Sequence, residues 1–214
     1  MRPVAILGGT FDPVHIGHLR VALEAAEILA APVRLMPAHV PPHRPAPVAS
    51  AIRRVAMLRA VLAGQDHLLL DTRELDRSEP SYTVETLRGM RAEFGASRSL
   101  ILLLGADAFA GLPTWHDWRE LFDLAHIAVM TRPGLATAMP TDLTAEVASR
   151  RTRSVADLHA TACGKVLDME VTPLDISASR VRALLAAGHE VRWLVPDALL
   201  ADPAMLDIYR HMAD

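Results

Sequence analysis

A chain of 214 residues, 51% of them apolar and with a formal net charge of −3, is long enough to bury a core and too apolar to remain disordered. The slightly acidic balance argues against a polybasic nucleic-acid surface and against attraction to anionic lipid, so a polyanionic ligand needs positive charge gathered locally. A single cysteine, Cys163, excludes an internal disulfide and a multi-cysteine zinc site. With no charged leader before the first strand and no apolar run near the ~20 residues that span a bilayer, the chain reads as cytoplasmic, with no membrane or nucleic-acid partner. Homo-oligomerisation is left open.

Short apolar runs at 4–7, 33–36, 67–70, 100–104, 127–130 and 166–169 predict buried strands. Between them lie helical stripes. Ile16, Leu19, Leu23, Ala26 and Ala30 form one, Ile52, Val55, Leu58 and Leu62 a second, and Val181, Leu184 and Leu185 a third that Gly188 stops. This alternation predicts the α/β class: a Rossmann-like, doubly wound parallel sheet with helices on both faces, where ligands collect beyond the carboxyl ends of the strands. A last helix over 203–212 reads as a small cap on the same unit, and the whole of 1–214 as one domain. Two stretches interrupt the pattern, a proline-rich loop over 39–47 and a Thr-, Ala- and Arg-rich segment over 133–162.

The densest chemistry lies at the first strand's end, in Gly8-Gly9-Thr10-Phe11-Asp12-Pro13-Val14-His15-Ile16-Gly17-His18. Adjacent glycines let the backbone turn and approach a ligand, and His15 and His18, three residues apart, fall on one face of a first helical turn. Free amides and the positive dipole end of that helix favour phosphate. The segment is not the Gly-x-Gly-x-x-Gly dinucleotide fingerprint, and two histidines fall short of a zinc site. A second constellation, Ile176-Ser177-Ala178-Ser179-Arg180-Val181-Arg182, opens the late helix, where a serine cap, exposed amides and Arg182 offer a second phosphate site. His15, His18, His43, Arg44, Arg132 and Arg182 are the candidate positive groups.

Together these segments resemble the nucleotidyltransferase superfamily, with its Gly-x-Phe-Asp-Pro-x-His-x-Gly-His and late Ile-Ser-Ser-Thr-x-Ile-Arg signatures. Further segments, Val40-Pro41-Pro42-His43-Arg44, Ser81-Tyr82-Thr83-Val84-Glu85-Thr86-Leu87, Gly105-Ala106-Asp107, Leu112-Pro113-Thr114-Trp115-His116-Asp117-Trp118 and Arg132-Pro133-Gly134, are similar to bacterial nicotinate-nucleotide adenylyltransferases. The likeness runs in order from about Val4 to Tyr209. It departs at Ala178-Ser179, where the family has Ser-Thr, and is poor over 133–162.

The resemblance implies adenylyl transfer from ATP to the phosphate of nicotinate mononucleotide, without a covalent intermediate. The acceptor phosphate is already ionised, so the work is electrostatic positioning. It implies catalytic roles for His15, His18 and Arg182. ATP falls to Gly8, Gly9, Thr10, Phe11, His15, His18, Gly105, Asp107, Arg132, Ile176, Ser177, Ser179 and Arg182. The mononucleotide falls to His43, Arg44, Tyr82, Thr83, Trp115 and His116, with Trp115 stacking on the pyridine ring and Trp118 in packing. Asp12 reads as a turn cap rather than a catalytic group. Mg2+ is implied, held mainly by ATP oxygens and water, with no protein-built metal site. Nicotinamide mononucleotide remains an alternative acceptor, and a catalytically silent nucleotide sensor the alternative from another class. Phosphopantetheine enzymes resemble a shorter chain with Thr in place of His15.

Overall fold

The computed structural model describes residues 2–39, 46–77, 81–131 and 138–211. Each predicted apolar run is a strand: β1 Val4–Gly9, β2 Val33–Pro37, β3 Leu68–Leu70, β4 Leu100–Gly105, β5 His126–Thr131 and, after a short edge strand β6 at Arg151–Thr152, β7 Val166–Glu170. They form one parallel sheet in the order β3-β2-β1-β4-β5-β7-β6. The chain winds outward from β1 through β2 to β3, then crosses to the other side of β1 to begin β4. That reversal makes the β1/β4 boundary the switch point at which such sheets bind ligands.

Alternate residues of each central strand enter different cores, which is why the runs are apolar throughout rather than alternating. Ala5, Leu7, Val33, Leu35, Ile101, Leu103 and Ala128 pack into one. Val4, Ile6, Met36, Leu100, Leu102, Leu104, Ile127 and Val129 pack into the other. The first core is covered by α1 Ile16–Leu29, α2 Ala51–Leu62, α7 Val155–Ala160, α8 Ala178–Ala186, α9 Asp197–Leu200 and α10 Asp207–Arg210. The second is covered by α3 Thr83–Phe94, α4 Ala106–Ala110, α5 Leu121–Leu124 and α6 Thr141–Val147.

The helix stripes need correction in detail. In α1 the buried residues are Leu29 and four small ones, Gly17, Ala22, Ala25 and Ala26, which let the helix lie close to the sheet, while Ala30 is an exposed left-handed cap at φ 47°. In α2, Ile52 is 84% exposed and the buried face instead includes Arg54 at 1%. A stripe drawn from hydrophobicity alone had no means of placing a guanidinium inside. The 133–162 segment is not simply a loop: from 138 onward it contributes α6, β6 and α7, whose weak sequence signal reflects their length of seven residues or fewer. The single helix expected over 203–212 is split into a 3-10 turn at Pro203–Met205 and the four-residue α10, with Met212 outside the described residues. No helix among the described residues is long and apolar enough to cross a membrane.

Candidate active site

The loop after β1 folds around its own aromatic and imidazole rings. Phe11 is 1% exposed and adopts a left-handed backbone at φ 51°, which brings its ring back over Gly9. A Cβ at Gly9 would lie 3.0 Å from Phe11 Cζ. Gly17 is favoured for a similar reason, since its Cβ would approach His15 Nδ1 to 3.1 Å. At Gly8, by contrast, a Cβ meets nothing within 4 Å, so open space lies beside the strand end.

His15 and His18 do meet, but not as two members of one helical face. His15 is the N-cap of α1 with an extended backbone, and His18 is the third helical residue. The His18 amide donates to His15 Nδ1 and the His15 amide donates to His18 Nδ1, both at 3.3 Å, a capping box made by two imidazoles. Their rings stack at 3.6 Å between centroids. Because each Nδ1 accepts from a backbone amide, a neutral ring at either position carries its proton on Nε2. Burial pushes the pKa of His15 down to about 4, so at neutral pH it offers a hydrogen bond and not a charge.

This changes the expected cradle. The Ile16 amide donates to the Leu194 carbonyl at 2.9 Å and the His18 amide to the His15 ring, so these helix-start amides are occupied by the protein itself.

The late constellation arrives at the same place. Ser177 caps α8, its Oγ accepting from the Arg180 amide at 3.2 Å, and the Ile176 carbonyl lies 3.5 Å from the Cβ position of Gly17. Arg182 donates from Nη1 to the Asp12 carbonyl at 2.7 Å and from Nη2 to Ser179 Oγ at 3.3 Å. A guanidinium carries five N–H donors, so these bonds leave others for an anion. Asp12 itself does not cap its own turn. Its buried carboxylate accepts from the Val48 and Ala49 amides at 2.8 and 3.0 Å and from the Tyr209 hydroxyl at 2.6 Å, tying the loop to the start of α2 and to α10.

Across the β1/β4 boundary, Gly105 precedes α4 with open space at its Cβ position, and Asp107 is exposed in the first turn of that helix. On the second core's side, Tyr82 and His116 bring their rings to 4.7 Å, Thr83 begins α3, and Trp115 is partly buried against that core. Trp118 is 7% exposed and packs edge-on against Phe122. His43, Arg44 and Arg132 lie outside the described residues.

The cytidylyltransferase-like family model matches residues 6–184. A relative from Pseudomonas putida (strain W619), assigned as a nicotinate-nucleotide adenylyltransferase, is 46% identical over 211 residues, covering 98% of this chain and 96% of that one. One from Pseudomonas syringae pv. tomato, assigned likewise, is 48% identical over 210 residues, with 98% and 94% covered. The chain belongs to the nicotinate-nucleotide adenylyltransferase family. Solved structures of the Plasmodium falciparum nicotinic acid mononucleotide adenylyltransferase share the fold: that complexed with NaAD has a TM-score of 0.69 at 15% identity, covering 97% of this chain and 94% of that one. That complexed with APC has a TM-score of 0.69 at 14% identity with both chains fully covered.

Three residues that bear on this adenylyltransferase site escaped the sequence reading. Arg54 donates from Nη1 to the Thr10 carbonyl at 2.8 Å, Tyr209 holds Asp12, and Arg88 of α3 pairs with Glu85, Glu120 and Asp117 beside the Tyr82–His116 rings. Nothing in the sequence distinguishes buried Arg54 from its half-buried neighbour Arg53. For Tyr209 the available signal was its place as a lone aromatic residue near the end of the chain.

Proposed function

We propose that this chain transfers the adenylyl group of ATP to the phosphate of nicotinate mononucleotide, forming nicotinate adenine dinucleotide and pyrophosphate. The observation that carries the reading is the meeting of the two signatures at the end of β1, where Arg182 of the late segment grips the loop that delivers the stacked His15–His18 pair. Family membership supports it, and the names of the bacterial relatives give the acceptor.

An oxygen of the mononucleotide phosphate bonds to the α-phosphorus of ATP while the bond from that phosphorus to the bridging oxygen breaks, and pyrophosphate leaves with the electron pair. The attacking phosphate is already anionic, so no side chain needs to remove a proton. The protein's task is to hold two polyanions in line and to stabilise charge on the α-phosphate and the leaving group. His18 donates from Nε2 to the α-phosphate, with His15 beside it. Ser177, Ser179 and the remaining N–H groups of Arg182 hold the β- and γ-phosphates. Gly105 admits the nucleoside to the strand end, and Asp107 accepts from its ribose hydroxyls. Trp115 stacks on the pyridine ring, Tyr82, Thr83 and His116 surround it, and His43 and Arg44 take the acceptor phosphate.

Among the described residues no group of three or more His, Cys, Asp and Glu side chains gathers to hold a metal ion, and the loop's donors are imidazole and guanidinium N–H groups. That donor set fits Mg2+ as a partner of ATP oxygens and water. Bound so, it supplies further neutralisation of phosphate charge. We place the enzyme in the cytoplasm, on the strength of its lone cysteine.

Pyrophosphate release with Mg-ATP, measured in parallel with nicotinate mononucleotide, nicotinamide mononucleotide and phosphopantetheine, tests the reading. Turnover with the first alone is expected. Equal kcat/KM for the amide would make the chain an enzyme of both acceptors, and ATP binding without turnover would make it a sensor.

A further inference from the structure

Phe11 is a bulky residue in a left-handed conformation, a strained arrangement that persists only where its surroundings hold it. The structure shows what imposes it. The carbonyls on either side of Phe11 are each held by a guanidinium: Thr10 by Arg54 at 2.8 Å and Asp12 by Arg182 at 2.7 Å. The Asp12 carboxylate below them is fixed by the Tyr209 hydroxyl at 2.6 Å and by two amides of the segment before α2. Across a trans peptide the carbonyl and the next N–H point opposite ways, so anchoring the Thr10 carbonyl on Arg54 also sets the direction of the Phe11 amide. The Phe11 ring in turn meets the His18 ring edge-on at 5.0 Å and 70°.

Arg54 is an expensive way to fill space. It is 1% exposed, its Nε finds no partner among the described residues, and burial drives its pKa below the usual arginine value despite nearby Asp12. Burying a guanidinium with an unsatisfied Nε opposes folding, so space-filling alone does not account for it. We infer that Arg54 and Tyr209 are positioning residues for adenylyl transfer: they hold Phe11 in its left-handed turn and, through its ring, fix the His18 imidazole. Tyr209 thereby makes the C-terminal α10 part of the catalytic apparatus, although neither residue is placed against ATP. This inference rests on the adenylyltransferase reading.

The test compares Tyr209→Phe, which removes one hydroxyl and keeps the ring, with Arg54→Met and Arg54→Lys, measuring kcat, both KM values and Tm. In Tyr209→Phe and Arg54→Met, kcat falls about 10- to 100-fold while KM for the mononucleotide stays within about twofold of wild type. Arg54→Lys recovers a large part of the loss, because an ammonium still donates to the Thr10 carbonyl. Wild-type kcat in variants assayed well below a lowered Tm would overturn the inference and assign both residues to folding alone. Tyr209→Phe decides the matter if Arg54→Met does not fold. A wild-type chain without turnover defeats the adenylyltransferase reading and the inference together, whereas an active wild type matched by its variants defeats only the inference.

Discussion

The two regions to which we assign the ATP phosphates and the acceptor are held by different means. Around the β1 loop, buried polar groups lock one another: two imidazoles cap a helix, two arginines hold two carbonyls, and a buried carboxylate joins α2 to α10. On the acceptor side, Tyr82 and His116 touch at a half-exposed surface, and Arg88 braces the 117–120 stretch through ion pairs open to solvent. The contrast matches the tasks. Charge developing at the α-phosphorus needs donors fixed in advance, because donors that reorient during the reaction lose most of their advantage. A flat pyridine ring needs a surface to stack on and tolerates a looser frame. Mutations should therefore act on turnover from one side and on acceptor affinity from the other.

The sharpest break is His18→Ala, which removes the less buried of the two imidazoles. Turnover should fall about 100- to 1,000-fold, while the Kd for ATP, measured by calorimetry, changes less than about fivefold. Near-normal turnover would leave the phosphate side without its central donor.

Acid should open the same side next. With the His15 pKa lowered from 6.5 to about 4, the unfolded chain binds this proton more readily than the folded one. Stability from His15 is thus complete above pH 6.5 and lost as pH falls toward 4, up to about 3 kcal/mol. Denaturant midpoints across this range should fall in the wild type and fall less in His15→Asn, whose side chain keeps an N-cap acceptor. Parallel curves for the two proteins would assign the acid loss to other groups, buried His126 among them.

The sheet was legible because each central strand is apolar on both faces, and hydrophobic runs report that directly. The turn after β1 was legible too, since Phe11 and His15 pack tightly over Gly9 and Gly17, and such close approaches favour glycine at fixed positions. What escaped was long-range polar contact. Arg54 reaches Thr10 across 44 positions and Tyr209 reaches Asp12 across 197, and no local periodicity encodes either. Hydrophobic spacing put Ile52 inside for the same reason, because it cannot anticipate a buried guanidinium two residues on. The short edge strand β6 and its flanking helices escaped because elements so short draw their stability from packing rather than from propensity.

On the acceptor side, Trp115→Ala should raise KM for the pyridine nucleotide about 5- to 50-fold, the loss of one stacking contact, with KM for ATP nearly unchanged. An equal rise in both would move the pyridine ring away from Trp115.

The smallest effect tests the frame itself. Arg88 lies on the surface, and its pairs with Glu85, Glu120 and Asp117 are solvent-exposed, so Arg88→Ala should leave the Tm nearly unchanged. Yet Asp117 sits in a left-handed conformation at φ 47° between His116 and buried Trp118, and Arg88 reaches it from α3. Freed of that brace, the stretch carrying Trp115 and His116 samples more arrangements, and KM for the mononucleotide should rise about two- to fivefold while kcat and KM for ATP hold. Salt supplies the control: added NaCl screens exposed pairs, so the gap in acceptor KM between wild type and Arg88→Ala should narrow as ionic strength rises. A gap that persists at high salt would mean that Arg88 acts through packing of its aliphatic stem, and the acceptor side would then be framed by contact rather than by charge.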